Sequence, residues 1–309
     1  MKRLYVIVLI TLLGLTPVAA KKLYKYQDQQ GKWYFSDQPP KTPQKVEIEQ
    51  ITVEHIPRVR LLKRGGSSNP VYEIQNDYNG PIEVEVRIVK GKNVRSIPTL
   101  PNRFVVAPLQ SKPIFNISAV NPRQSFSYSL RYRFTLGSPE ARYDASYPYL
   151  PPIAPGMEFK ISQAFGGPYT HSGDQNKFAV DIVMPEQTPV HAARAGIVMD
   201  VEKDYIKGGT NSQAFASRAN SIRILHDDGS MALYAHLALE KAEVFPGLPV
   251  QQGQLIAYSG NTGYSSGPHL HFSVQANTGM KLASVPFKFI DSLGGVKEPE
   301  AGLWLTGFE

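Results

Sequence analysis

Two histidines one residue apart, His269 and His271, close a Gly- and Ser-rich run, SGNTGYSSGPHLHFSV at residues 259–274, and open an alternating apolar segment. That alternation reads as a strand, in which successive side chains point to opposite faces. His269 and His271 then share one face of a sheet, while Leu270 and Phe272 face the other way. Two neutral imidazoles side by side suit a divalent metal such as zinc. A pair alone does not make a metal site, so matching ligands must come from elsewhere in the chain. Of the seven histidines, all but His55 fall between residues 171 and 271.

The elements that could position such a cluster are strands. A chain of 309 residues holds about two domains at roughly 150 residues each. Its 25 glycines and 25 prolines punctuate many short alternating runs, the pattern of an all-β protein rich in turns. The absence of cysteine removes disulfides, thiolate ligands, cysteine nucleophiles and lipidated cysteine anchors together. The formal charge is +7, and loss of Lys2 and Arg3 with residues 1–20 leaves 7 − 2 = +5. That balance favours a polyanionic neighbour such as cell wall, membrane surface or nucleic acid, without choosing among them.

Residues 1–20 pass from Lys2 and Arg3 through an apolar run to Thr-Pro-Val-Ala-Ala, the order of a secretory signal peptide with cleavage after Ala20. The apolar run is shorter than the ~20 residues a spanning helix needs, so export without stable membrane insertion is expected. Residues 21–45 read as a small β-hairpin module, with Tyr24 and Tyr26 in one segment, Trp33 and Phe35 in the other, and Gly31 in the joint. They resemble a small module of unknown function in secreted bacterial proteins, which shares the Asp-x-x-Gly turn and the Ser-Asp-x-Pro-Pro that follows it. Residues 46–69 read as a linker, with an edge strand available at 46–53. Its basic run of Arg58, Arg60, Lys63 and Arg64 lacks interleaved aromatics on which bases could stack, so no nucleic-acid partner is expected. Residues 70–147 alternate cleanly, Ile82, Val84, Val86 and Ile88 against Glu83, Glu85 and Arg87, as in an antiparallel β-sandwich of Ig-like size. No chemistry shows there, which makes it a spacer or positioning domain. The prolines of PYLPPIAPG at 148–156 mark entry into the last domain, residues 148–290, and 291–309 read as a C-terminal tail.

That last domain resembles the LytM and lysostaphin-like zinc metallopeptidases that cut peptidoglycan cross-links. The resemblance rests on THSG at 170–173, FAVDIVMPEQTPVHAARAGIV at 178–198, NSIRILHDDGSMALYAHL at 220–237 and the run around His269. It implies one Zn2+ per chain, held by His171, Asp181 and His271, with His236 and His269 as the catalytic pair. It also implies an antiparallel β-sheet domain acting on peptidoglycan peptides. Two histidines and a carboxylate leave a fourth tetrahedral position for water, as in catalytic zinc. The metal would bring the pKa of that water to about 7 and polarise the scissile carbonyl. With no H-E-x-x-H glutamate in the chain, histidine must move the protons: one of His236 and His269 takes the water's proton and returns it to the leaving amine while the other donates to the oxyanion.

The sequence departs from the family in two places. Asp181 lies ten residues after His171, where many members have four, and Asp174 lies nearer at three. The strand context FAVDIVMP selects Asp181, implies a longer loop between the ligands, and leaves Asp174 solvated. Gln187 stands where the family usually has glycine; if that turn demands φ > 0, the local cost is roughly 1 kcal/mol. His191 is expected to decorate a strand and His226 to bond locally at a hairpin turn. Arg194, Asn220 and Tyr234 are candidate supporting or substrate contacts, and 203–218 reads as a long rim loop rather than a helix.

Gly263-Tyr264-Ser265-Ser266-Gly267 fits G-x-S-x-G, but Pro268 and a strand follow where a serine hydrolase needs a helix. The stronger rival is a non-catalytic LytM-type module that binds the wall or activates another wall hydrolase. Such modules have typically lost ligands, and all five positions are filled here. The sequence thus points to a mainly β, exported, most plausibly periplasmic zinc endopeptidase, with a wall-hydrolase partner as an open option. Its N-terminal modules would position the catalytic cleft or cover it.

Overall fold

Short runs of alternating β-branched and aromatic residues set the architecture, and a computed structural model describes it for residues 9–10, 21–27, 33–36, 45–51, 57–215 and 218–308. Lys21–Gln27 pairs antiparallel with Trp33–Ser36, Tyr26 opposite Tyr34. The Asp28 to Gly31 joint lies outside the described residues. Glu47–Ile51, inside the expected linker, adds to the other edge of Lys21–Gln27. Of residues 1–20, only Leu9–Ile10 is described, parallel to Ser129–Leu130. Among the described residues, no helix is long and apolar enough to cross a membrane.

Two antiparallel sheets then face each other. One runs Val59–Arg64, Val71–Asn76, Ser111–Ala119, Val94–Ile97; the other runs Ser127–Leu136, Ile82–Lys92, Asn102–Val106. Their inner faces bury Tyr72, Ile74, Ile82, Val84, Val86, Ile117 and Leu130. The Tyr72 and Tyr128 hydroxyls meet at 2.8 Å across the interior, so neither polar tip is left unsatisfied there. Val59–Arg64 falls within the expected linker. Val59 and Leu61 are buried in this core, an alternation that the flanking arginines and lysine hide in the sequence.

The C-terminal half is built on an antiparallel sheet of nine strands. Its central members are β1 (Glu158–Gln163), β2 (Ala179–Val183), β3 (Gly196–Glu202), β4 (Ser221–Leu225), β5 (Met231–Ala235) and β6 (His269–Asn277). Their spatial order is β3-β4-β5-β6-β2-β1, and Trp304–Thr306 pairs with the outer side of β1. Residues 291–309, expected as a tail, therefore supply an edge strand, anchored by buried Leu305. One face of the sheet carries Val180, Ile182, Ile222, Ile224, Tyr234, Leu270, Phe272 and Val274 into a single core. Phe272 meets Phe287 edge-on at 5.1 Å and also contacts the Tyr149, Tyr234 and Phe289 rings. Burying such a side chain contributes about 2–3 kcal/mol.

The opposite face carries His271, Ser273, Gln275 and Asn277 along β6, and the sandwich docks at its far end. Asn277 Nδ2 donates to Glu83 Oε2 and to the Gly137 carbonyl, both at 3.0 Å. The Met280 amide also donates to Glu83, a carboxylate only 3% exposed. Arg58 pairs with Asp200 while lying over the Tyr78 ring. The sandwich and the sheet are thus joined by satisfied polar contacts, buried at Glu83 and half-buried at Arg58–Asp200.

Candidate active site

Antiparallel pairing of β2 with β6 sets Asp181 directly opposite His271. Cross-strand partners share a face, so the carboxylate and the imidazole project together, away from the core. His171 Nε2 lies 3.2 Å from Asp181 Oδ1, and His271 Nδ1 lies 2.9 Å from the same oxygen. One ligand atom from each of the three buried residues lies within 4.8 Å of the others. Tetrahedral ligands ~2.0–2.1 Å from zinc stand about 3.3 Å apart, so this spacing fits a single metal ion. His171 Nδ1 donates to the Ala164 carbonyl at 2.8 Å, which fixes the tautomer that leaves Nε2 as the ligand atom.

His269 and His236 adjoin this group. His269 Nε2 is 3.7 Å from Asp181 Oδ1, and the His236 and His269 ring centroids are 4.5 Å apart. Each ring is tied at Nδ1, His236 to the Thr262 carbonyl at 2.6 Å and His269 to the Gly267 carbonyl at 2.8 Å. With Nδ1 donating to a carbonyl, Nε2 is the nitrogen left in each ring to exchange a proton. His236 follows the end of β5 with a left-handed φ of 64°. That turn breaks the strand alternation, so His236 does not share a face with Tyr234. Tyr234 lies wholly in the core, and its hydroxyl accepts from the Ala193 amide at 2.8 Å.

The electrostatics follow from burial and proximity. Burial favours the neutral form of Asp181, yet hydrogen bonds from His171 and His271 outweigh it and hold the carboxyl well below its usual range. Burial likewise lowers His171, but the Asp181 hydrogen bond and charge leave it raised. His236 is pushed down to about 3 by burial and by the neighbouring His269 and His271, so its ring is neutral at neutral pH.

Two supporting residues were not legible in the sequence. Gln163 Nε2 donates to Asp181 Oδ2 at 2.8 Å and to Thr170 Oγ1 at 2.7 Å, and its Oε1 accepts from the amides of Tyr169 and Thr170. By strand alternation Gln163 belongs with buried Ile161, and a glutamine at a core position is itself a signal. Thr262 is the second: its hydroxyl donates to the Leu237 carbonyl and accepts from the Asn220 amide, while its carbonyl holds His236.

The remaining candidates separate by partner. Asn220 is fully buried, its side chain bonded to both backbone groups of Tyr205 and to the Leu237 carbonyl. Arg194 pairs with Asp227 and Asp228 and stacks over Tyr147 at 3.8 Å, an internal brace. His191 lies on the strand Pro189–His191 and bonds the Gly253 carbonyl. His226 does sit at a hairpin turn, but its ring bonds the Ala195 carbonyl, 31 residues away, rather than a local group. Asp174 is exposed and paired with Lys281 at 2.9 Å. Gln187 has φ 67°, the strained turn expected from the missing glycine. Among the described residues of 203–218, the regular elements are the two-residue strand Gly208–Gly209, beside Gly263–Tyr264, and the short helix Ser212–Phe215. A cleft of about 610 Å³ lies between Phe134–Leu136 of the sandwich, the 173–176 loop and residues 280–282; none of the five candidate site residues lines it.

Residues 175–282 match the model of Peptidase family M23, and residues 10–58 match a domain of unknown function, DUF4124. The M23 span holds Asp181, His236, His269 and His271, and His171 lies just before it. Glycyl-glycine endopeptidase ALE-1 of Staphylococcus capitis is 35% identical over 121 residues, 38% of this chain and 30% of that protein. DD-carboxypeptidase/endopeptidase Mpg of Neisseria meningitidis serogroup B is 33% identical over 129 residues, 40% of this chain and 26% of that protein. A solved structure of lysostaphin from Staphylococcus simulans is 34% identical, covers 38% of this chain and 43% of that chain, and has a TM-score of 0.30. The chain therefore spans less than a third of the length of the two curated relatives.

Proposed function

We propose that the C-terminal domain, which belongs to the LytM/lysostaphin-like family, is a zinc-dependent endopeptidase that hydrolyses amide bonds in the peptide stems or cross-links of peptidoglycan. The observation that carries this reading is the convergence of His171, Asp181 and His271, from a loop and two strands, onto one point with metal-ligand spacing. In this reading those three side chains hold one Zn2+, and the ion supplies Lewis acidity toward water and the scissile carbonyl. His236 and His269 handle the protons: each presents a free Nε2 beside the ligand group. One ring accepts a proton from water at Nε2 and delivers it to the leaving amine. The other, its Nδ1–H held by a backbone carbonyl, donates to the developing oxyanion only when Nε2 also carries a proton, that is, as the imidazolium. Burial of the ligands strengthens these electrostatic interactions by excluding bulk water.

The substrate class is supported by relatives named as a glycyl-glycine endopeptidase and a peptidoglycan DD-endopeptidase. The leader-like order of residues 1–20 supports action outside the cytoplasm, with the periplasm as the proposed compartment. A complete set of ligands and proton carriers favours catalysis over a binding-only module. Muropeptide profiles of purified wall digested by the full chain should show new peptide ends with zinc present, and none after chelation or with His271→Ala. A digest without new ends in the presence of zinc defeats the enzyme reading.

A further inference from the structure

The ladder between β1 and β2 is irregular at one point. Ile161 pairs with Ile182, but Gln163 pairs with Asp181, so two residues on β1 advance the register by one on β2. Such a bulge re-aims the side chain that follows it. In a regular ladder Gln163 would stand opposite Val180 and point into the core with it. The extra residue, Ser162, instead donates its hydroxyl to the Asp181 carbonyl at 3.1 Å. Gln163 is thereby delivered to the face that carries Asp181 and His271.

On that face its amide is fully engaged. One end holds Asp181 Oδ2 and Thr170 Oγ1, and the other accepts from the amides of Tyr169 and Thr170. The chain walls the side chain in: a Cβ on Gly167 would sit 2.3 Å from Gln163 Cγ, so residue 167 must be glycine while Gln163 stays in place. From this geometry we infer that Gln163 is a positioning residue for the metal site. It pins the outer carboxylate oxygen of Asp181, so that Oδ1 alone faces His171 and His271, and it clamps the turn that carries His171. Two ligands distant in sequence are thus held in register by one amide, and the carboxylate is kept monodentate. The inference rests on the proposed metal-binding role of the three residues and adds a residue that the family pattern quoted above does not contain.

Hydrogen-bond partners that orient metal ligands typically govern affinity by ~10–100-fold. Co2+ is the probe, because its visible absorption reports ligand geometry as well as occupancy. Full-length wild type and Gln163→Met are titrated after chelation, with circular dichroism of the metal-free forms as the folding control. Gly167→Ala is the second variant, since it displaces Gln163 without touching Asp181. The expected result is a 10–100-fold weaker Co2+ affinity in whichever variants keep the wild-type metal-free spectrum, with shifted visible bands. A merely structural role would lower the melting temperature and leave affinity and band positions unchanged, which overturns the inference alone. Wild type that binds no Co2+ overturns the metal reading itself, and this inference with it.

Discussion

Replacing Asn220 with alanine should detach the loop at 203–209 from the groups that support His236, at a cost that can be worked from its bonds. The Asn220 side chain accepts from the Tyr205 amide at 2.8 Å and donates to the Tyr205 carbonyl at 2.8 Å and the Leu237 carbonyl at 3.2 Å. Each bond is worth ~1 kcal/mol net, so Asn220→Ala should lose about 3 kcal/mol of stability. The Leu237 carbonyl keeps the Thr262 hydroxyl, whereas both Tyr205 groups lose their partner. Asn220→Asp is the sharper variant: it retains the acceptor for the Tyr205 amide but faces two carbonyls with no donor, so it should be no more stable than the alanine form. Urea denaturation gives the stability change, and amide exchange at residues 203–209 reports release of the loop. With His236 held through Thr262, which the Asn220 backbone amide supports, kcat/KM on wall peptides should fall, by up to ~100-fold if the ring moves by about 1 Å. An alanine variant within about 1 kcal/mol of wild type, with unchanged exchange, refutes the bracing role.

Two further outcomes are expected. Burial pushes His226 down to about 4 from the ordinary 6.5; its bond to the Ala195 carbonyl opposes this, Arg194 adds to it, and Asp228 and Asp227 oppose it more weakly. Between those values the unfolded chain takes up a proton that the folded chain refuses, so stability is lost as pH falls through this window. Relative to His226→Asn, which keeps a donor for the Ala195 carbonyl, wild-type metal-free protein should lose about 2.5 kcal/mol between pH 7 and 4.5; a pH-independent difference in urea midpoints argues against it. Asn277→Ala removes the donors to Glu83 and Gly137 and should cost about 2–4 kcal/mol, because hydrogen bonds to a buried carboxylate are stronger than neutral ones. A thermal midpoint equal to wild type contradicts that estimate.

The candidate ligand group was legible partly through strand periodicity and partly through the family resemblance. His269 and His271 sit two apart in a strand, so alternation put them on one face, whereas Asp181 was named by the family resemblance and preferred to Asp174 for its strand context. The chosen carboxylate, Asp181 rather than Asp174, lies within hydrogen-bond distance of both candidate histidine ligands. What hydropathy does not encode is backbone exception. Strand alternation would set Tyr234 and His236 on one face but fails at the left-handed His236, and the bulge at Ser162 turns Gln163 out of the core. Short edge strands were also hidden. Trp304–Thr306 buries only its central leucine among three residues, and Val59–Arg64 interleaves its buried positions with arginines.

The buried Glu83 has an evolutionary consequence. Its partners, Asn277 and the Met280 amide, lie on the other side of the boundary near residue 148. A recombination event at that boundary would bring the incoming peptidase half against a sequestered carboxylate, and unless it carried equivalent donors the chimera would inherit an uncompensated charge. The two halves are therefore expected to change in concert, and productive shuffling should favour cut points that keep residues 83, 277 and 280 together.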